Sequence, residues 1–165
     1  MSKLLIIIDL QKGWRHQATE LAMFNTVSLC KRFPGDVVHC RFKNDPNSLF
    51  FSQLNWDKFV SSQDTDEIPE IAELNLPQFW RHTYSCLNHE TLPVIKKYAH
   101  IYIAGVFTDI SVASTAMDIF DNNIKVSVFA DCVGTLHGQD VHAAALSSLK
   151  HAIGHDQVIN YRHLK

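Results

Sequence analysis

"IYIAGVFTDISVASTAMDIFDNNIKVSVFAD" (residues 101–131) is the stretch that decides the fold. It begins with an apolar strand (101–106), continues with a segment of helical spacing (109–123), and ends with a second strand (125–131). Both strands are rich in β-branched and aromatic residues and nearly continuous in apolar character. This combination is typical of parallel strands that helices cover on both faces of a sheet.

The same alternation extends along the rest of the chain. Further strands are predicted at 4–8, 37–42 and 157–161, and further helices at 19–33, 88–99 and 138–154. Residues 43–80 are an irregular excursion, with one short helix expected at 54–60. The sequence therefore predicts an α/β fold with a central parallel sheet, in which residues 1–165 form a single domain.

Composition excludes several function classes. A net charge of -2 and the absence of a long Lys/Arg run argue against nucleic acid as a partner. No apolar segment reaches the roughly 18 residues of a membrane span, and Asp9 interrupts the N-terminal run without a cleavage site after it. The cysteines form no CxxC pair, so we expect reduced thiols in a cytoplasmic protein; they are Cys30, Cys40, Cys86 and Cys132. Cys86 and Cys132 are candidates for a thiol that faces the ligand site.

Polar residues follow the predicted strands where a parallel sheet binds its ligands, outside the carboxyl ends of the strands. Asp9 ends the first strand, Ser111 follows the strand 101–106, and the loop 130–138 follows the next one. A carboxylate that ends five apolar residues is costly to bury without a partner. Asp9 is therefore either a functional residue or a structural cap. Ser111 opens a helix, where amides and the helix dipole favour negative charge.

Four stretches together carry a family resemblance. They are "LLIIIDLQKGW" (4–14), "VVHCRFKNDPNSLF" (37–50), "RHTYSCLNHETL" (81–92) and "GVFTDISVASTAMDIFDNNIKVSVFADC" (105–132). From residue 4 to about residue 154 the chain resembles the isochorismatase-like superfamily, also called cysteine hydrolases, which includes isochorismatases and nicotinamidases. The resemblance implies a three-layer αβα sandwich with a central parallel sheet, Rossmann-like in class.

The resemblance also implies a catalytic set of Asp, Lys and Cys, whose positions fall on Asp9, Arg81 and Ser111. Two of the three family residues are thus replaced. It further implies a cis peptide bond between Val106 and Phe107, which helps to aim the amides of Phe107 and Ser111 at a substrate oxyanion.

The replacements change the expected chemistry. A thiol can become a thiolate beside a cation and a helix N-terminus, whereas a serine nucleophile needs a positioned base such as histidine. The fork of Arg81 can bind Asp9 and lower the basicity of that carboxylate further. Thiol-type chemistry is therefore not expected.

Other side chains are candidates for ligand contact. We predict a substrate-binding group of Trp14, Val106, Phe107, His82 and His137. The two histidines are either bases for Ser111 or structural and surface groups. The aromatic residues of these segments line the cleft, belong to the core or form a subunit interface.

Nicotinamidases carry an Asp-x-His pair with a further His after the second strand, and the pair is absent from "HCRFKNDP" (39–46). Neither a metal nor another cofactor is predicted.

Two hypotheses remain open at the level of sequence. The first is a hydrolase-like protein for a small amide or related small molecule. The second is a catalytically inactive relative that binds a small ligand or another protein. The feature that distinguishes them is whether a base lies within hydrogen-bond reach of Ser111 Oγ. The expected partner is a small molecule, with no nucleic acid and no membrane, and the long excursion 43–80 is expected to form part of a homo-oligomer interface.

Overall fold

Six parallel strands form one sheet in the order β3-β2-β1-β4-β5-β6. The computed structural model describes residues 1–163. The strands are β1 (Lys3–Ile8), β2 (Asp36–Phe42), β3 (Gln78–Arg81), β4 (His100–Val106), β5 (Val126–Gly134) and β6 (Val158–Ile159). The chain winds outward in one direction from β1 to β3 and in the other from β4 to β6. The direction therefore reverses between β1 and β4, which is the point where such sheets form a ligand crevice.

Helices connect the strands. They are α1 (Gln17–Cys30), α2 (Leu49–Ser52), α3 (Ser62–Thr65), α4 (Pro69–Ala72), α5 (Thr91–Ile95), α6 (Ala113–Asp121) and α7 (Gln139–Ile153). A π-helical turn (Thr108–Val112) precedes α6, and short 3-10 turns lie at Lys12–Trp14, His155–Gln157 and Tyr161–His163. Within residues 1–163, none of these helices has the length and apolar character needed to cross a membrane.

The strand β1 is buried on both faces of the sheet. Alternate side chains of β1 enter two different core clusters, with Leu4, Ile6 and Ile8 on one face and Leu5 and Ile7 on the other. The first cluster also contains side chains of α6 and α7, and the second contains side chains of α1. Because both faces are buried, the strand is apolar throughout rather than alternating. The predicted α/β class, with a parallel sheet between two helical layers, is confirmed.

Several boundaries differ from the predictions. The excursion 43–80 contains three one-turn helices and the edge strand β3, and residues 54–60 form no helix. The loop expected at 130–138 is strand as far as Gly134. The helix expected at 88–99 covers only Thr91–Ile95, and the strand expected at 157–161 covers only Val158–Ile159. Elements at the edge of the sheet bury few side chains, so the periodicity of their apolar residues predicts their boundaries weakly.

Candidate functional site

Asp9 and Arg81 meet at the carboxyl edge of the sheet. Asp9 directly follows β1 and Arg81 is the last residue of β3, and Arg81 Nη2 donates to Asp9 Oδ2 at 2.5 Å. Both side chains are 2% exposed. Arg81 Nη1 also donates to the carbonyl of Thr83, while Arg81 Nε and Asp9 Oδ1 have no hydrogen-bond partner among residues 1–163. The pair is therefore buried but leaves one carboxylate oxygen unused.

The protonation of this pair reflects two opposed effects. Burial raises the pKa of Asp9 to about 6, although the charge and hydrogen bond of Arg81 act to lower that pKa. Burial acts to lower the pKa of Arg81, but the charge of Asp9 outweighs it and the pKa of Arg81 is raised. At neutral pH the pair is thus mostly ionised and carries no net charge.

Asp9 adopts an unusual backbone conformation that its neighbours hold in place. Its φ is 59°, in the left-handed region that Asp tolerates better than most residues. The next amide, that of Leu10, donates to Nε2 of the fully buried His39 at 3.1 Å, and His39 Nδ1 lies 2.6 Å from Glu67 Oε1. Since Nε2 accepts a hydrogen bond, Nδ1 carries the ring proton and donates a hydrogen bond to the carboxylate of Glu67. Burial lowers the pKa of His39, which is consistent with this neutral tautomer.

Gln11 fixes the same turn from the other side. This fully buried side chain donates to the carbonyls of Phe42 and Thr65, each at 2.8 Å, and accepts the amide of Phe42 at 2.9 Å. It thereby joins the segment after β1 to the end of β2. Gln11 and His39 are structural supports of the site that the sequence reading did not assign to it.

Ser111 lies on the opposite side of the same crevice, within the π-helical turn after β4. Its side chain is 5% exposed, and no residue of the described part of the chain forms a hydrogen bond with its Oγ. The peptide bond between Val106 and Phe107, just before this turn, is cis. Ser111 therefore has no base in contact, which is the feature that separated the two functional hypotheses.

An aromatic cleft of about 260 Å³ opens at the junction of these elements. It is lined by Asp9, Trp14, Phe42, Phe50, Leu54, Trp56, Tyr84, Phe107, Ile110, Ser111, Leu136 and His137. Six of these twelve side chains are Trp, Phe or Tyr, so the walls favour a flat, largely apolar molecule. Asp9 and Ser111, which follow the strands β1 and β4, are polar residues that contribute to this lining.

Trp14 connects the walls of the cleft. Its ring stacks on Phe59 at a centroid distance of 4.0 Å and on Trp56 at 5.6 Å, and meets the edge of Phe107 at 4.7 Å. Trp14 Nε1 is buried without a partner among residues 1–163. Phe59 is almost fully buried behind Trp14 and was not anticipated from the sequence.

His137 forms the remaining polar part of the cleft. Its Nδ1 lies 2.6 Å from Asp109 Oδ2, and its ring stacks on Phe107 at 5.3 Å. Burial acts to raise the pKa of Asp109, but the neighbouring Thr135 and His137 outweigh it, so that pKa is lowered. Asp109 Oδ1 is buried without a partner among residues 1–163. The sequence pattern predicted ligand contact for His137 but not a role for Asp109, which lies in the segment "TDIS" (108–111) at the start of the π-helical turn.

The predicted ligand-contact residues separate into two groups. Trp14, Phe107 and His137 line the aromatic cleft. Val106 does not, because it is the last residue of β4 and its side chain is buried in the core beside α1. His82 also lies outside the aromatic cleft; it is exposed, with Nδ1 2.7 Å from the carbonyl of Lys43.

The two candidate thiols are not part of the cleft surface. Cys86 and Cys132 are both 0% exposed. Burial acts to raise the pKa of the Cys86 thiol, but Cys40, Arg81 and Thr115 outweigh it and the pKa is lowered. Burial raises the pKa of Cys132. Neither sulfur replaces the thiol expected at position 111.

The residues at the end of β2 do not fit the zinc site of nicotinamidases. Arg41, near the end of β2, has its guanidinium 4.2 Å from the centre of the Trp80 ring, and Lys43 is the first residue after the strand. Both are cations and supply no metal ligand. In the described chain, no three His, Cys, Asp or Glu side chains are grouped so that they could hold a metal ion.

Comparison with known proteins identifies relatives of the whole chain. A family model described as the Isochorismatase domain matches residues 3–157. No curated protein matches the chain significantly.

Solved structures share the fold at low identity. An isochorismatase-like hydrolase from Alkaliphilus metalliredigens is 16% identical with a TM-score of 0.85, covering 99% of this chain and 97% of that one. A nicotinamidase from Bacillus subtilis is 20% identical with a TM-score of 0.83, covering 97% and 99%. A protein from L. infantum in complex with nicotinate is 15% identical with a TM-score of 0.79, covering 96% and 91%.

Proposed function

The chain belongs to the Isochorismatase domain family, and we propose that its aromatic cleft binds a small planar amide or related molecule without the thiol chemistry of the cysteine hydrolases. The observation that carries this proposal is the Oδ1 atom of Asp9, a buried carboxylate oxygen without a partner in the described chain, on a residue that lines the aromatic cleft. Buried polar atoms are normally hydrogen-bonded. A ligand that donates a hydrogen bond to Oδ1 satisfies this one.

A primary amide fits the polar groups of the cleft. Its N–H donates to Asp9 Oδ1, and its carbonyl oxygen accepts from the hydroxyl of Ser111, which has no other partner in the described chain. The aromatic walls suit a ring attached to that amide. The nicotinate bound by the L. infantum protein, a flat aromatic acid, supports the choice of a ring of this size.

Three features support binding without thiol-type turnover. Serine replaces the expected cysteine at position 111, and no base contacts its Oγ within residues 1–163. Asp9 Oδ2 is already occupied by the guanidinium of Arg81, which does not release a proton. A serine hydroxyl without a base is a weak nucleophile. The four free thiols suit a reducing compartment such as the cytoplasm.

Thermal unfolding with benzamide tests the proposal. Benzamide at about tenfold excess over its Kd stabilises the native state by about 1.4 kcal/mol, which raises the Tm by roughly 3 to 6 °C for a chain of this size. Cyclohexanecarboxamide, which has the amide without the flat ring, and toluene, which has the ring without the amide, should each have a smaller effect.

Matched tryptophan variants locate the site. Trp14→Leu removes a wall of the cleft and should abolish the shift, whereas Trp80→Leu changes a tryptophan that packs on Arg41 outside the cleft and should preserve it. Calorimetric titration of the same variants checks binding directly. Equal responses of the two variants, or no response of the parent protein, would contradict the proposal.

A further inference from the structure

The contact between Asp109 and His137 is not explained by amide binding. His137 Nδ1 lies 2.6 Å from Asp109 Oδ2, and the two side chains are 46% and 15% exposed. Amide recognition uses Asp9, which directly follows β1, and Ser111 in the π-helical turn. The Asp109–His137 pair therefore adds a second polar group, His137, to the lining of the same cleft.

The imidazole of His137 is held in one orientation. Its edge is fixed by Asp109 and its face stacks on Phe107 at 5.3 Å with an interplanar angle of 21°. The amide of His137 donates to Thr135 Oγ1 at 3.2 Å, which ties down the loop after β5. A ring restrained on its edge, face and backbone is preorganised for a chemical role.

The carboxylate decides which nitrogen carries the proton. Burial acts to raise the pKa of Asp109, but the neighbouring Thr135 and His137 outweigh it, and the lowered pKa favours the ionised carboxylate. An ionised carboxylate only accepts, so His137 Nδ1 is the donor, and in the neutral imidazole Nε2 is the nitrogen with the free lone pair. Within residues 1–163, Nε2 has no hydrogen-bond partner. This is how a carboxylate orients a histidine base in hydrolytic sites.

The nucleophile must come from outside the protein. His137 and Ser111 line the same cleft, but Ser111 Oγ forms no hydrogen bond with the imidazole. The cleft is open to solvent at His137, whose side chain is 46% exposed. Water is therefore the nucleophile that a base at Nε2 can reach.

We propose that Asp109 and His137 form a general-base pair that activates water for hydrolysis of aromatic esters with good leaving groups. His137 Nε2 takes a proton from water as the water oxygen bonds to the ester carbonyl carbon. The tetrahedral oxyanion then collapses, the bond to the leaving oxygen breaks, and the imidazolium returns its proton to that oxygen. The products are one carboxylic acid and one alcohol or phenol. The ester must occupy the aromatic cleft, so the inference rests on the proposed binding function.

Hydrolysis of 4-nitrophenyl acetate by the full-length chain tests this activity. His137→Gln removes the base and should lower kcat/KM by about a hundredfold. Asp109→Asn leaves the ring without its carboxylate and should lower kcat/KM by about tenfold or more. His151→Gln changes an exposed histidine on α7 whose Nδ1 lies near the carbonyl of Ser147, and it should leave the rate unchanged. This control corrects for hydrolysis by surface imidazoles.

Each outcome of the assay is decisive. Equal rates for the parent, His137→Gln and His151→Gln overturn the proposal. They would show that hydrolysis of the ester does not depend on the imidazole of His137. Acetylation of Ser111, detected by mass mapping during turnover, overturns the assignment of water as nucleophile. Benzamide should inhibit the reaction competitively. If benzamide neither binds nor inhibits while the His137 dependence remains, the amide-binding proposal fails and the base assignment stands.

Discussion

Arg81 differs from a lysine at the same place in ways that decide the chemistry of the cleft. Its planar fork reaches Asp9 Oδ2 and the carbonyl of Thr83 at once, each at 2.5 Å. A lysine ammonium is a compact charge that shifts its pKa readily when buried, whereas a guanidinium does not release its proton. Arg81 therefore supplies the positive charge that a lysine would supply, but not a group that can transfer a proton.

If positions 81 and 111 are those of the family Lys and Cys, placing these residues there should create a reactive thiol. The double variant Ser111→Cys with Arg81→Lys places an acidic thiol and a compact cation at the helix entrance. We expect iodoacetamide to alkylate position 111 at neutral pH in this variant, as traced by mass mapping. Ser111→Cys alone is the control for simple exposure of a thiol, and it should react more slowly. A double variant that is as unreactive at 111 as the four buried or partly buried native cysteines would contradict this account of the replacements.

The pKa of Asp9 predicts the pH dependence of amide binding. The ionised carboxylate accepts the amide N–H, and burial raises the pKa of Asp9 to about 6. Affinity for benzamide should therefore increase roughly tenfold between about pH 5 and about pH 7, as the ionised fraction rises. Calorimetric titration across this range checks it. An affinity that is constant, or that falls with increasing pH, would mean that Oδ1 is not the acceptor.

The raised pKa of Asp9 also makes the stability of the folded state decrease with increasing pH, whereas the affinity for benzamide increases. Because the folded state favours the protonated carboxyl, Asp9 contributes stability that is complete below its unfolded pKa near 3.8 and is lost as the pH rises through about 6. A ligand that satisfies Oδ1 offsets this loss. Ligand binding and folding are thus linked through one carboxyl group.

At the scale of elements, the sheet was predictable where strands are central and less so at its edges. β1 and β4 are buried on both faces, and their apolar runs predicted them directly. The edge strand β3 has only four residues, three of them partly or fully exposed, and periodicity did not reveal it. The positions after β1 and β4 followed from the rule of carboxyl ends. The supporting roles of His39, Gln11 and Asp109 depend on contacts between distant segments, which sequence spacing does not show.

Gly105 allows β1 and β4 to approach closely, and Gly138 serves as a comparison without such a contact. Gly105 in β4 has a φ of 117°, and a Cβ there would lie 2.1 Å from the carbonyl oxygen of Ile8 in β1. Gly138 before α7 has a similar φ of 99° but no atom within 4 Å of such a Cβ. Gly105→Ala should cost more than about 4 kcal/mol, and Gly138→Ala about 1 to 3 kcal/mol from backbone strain alone. Urea unfolding compares them, and equal losses would show that strain rather than the steric contact dominates.

At the scale of the whole molecule, apolar side chains of the excursion 43–80 remain on the surface near the cleft. Leu49 is 70% exposed and Leu54 is 53% exposed, and Tyr84 lies beside them at 43%. Exposed apolar groups that lie close together favour an interface. We therefore keep the prediction that this region joins copies of the chain.

Light scattering tests the assembly. The parent protein should be a dimer or larger at micromolar concentration, and Leu49→Glu should shift it toward the monomer by placing a charge in the interface. Leu21→Glu is the matched control, because Leu21 on α1 is equally exposed at 70% but lies outside the excursion. A monomeric parent, or a control variant that dissociates as readily as Leu49→Glu, would remove this surface from consideration.

Ligand-observed NMR of benzamide with the protein tests the central claim, that the cleft holds a planar amide and leaves it intact. Saturation transfer from protein to ring protons reports binding, and the same spectra followed over hours report any conversion to benzoate. We expect saturation transfer that Trp14→Leu abolishes, and no formation of benzoate above the rate in buffer. Absence of transfer to the parent protein, or steady formation of benzoate, would contradict it.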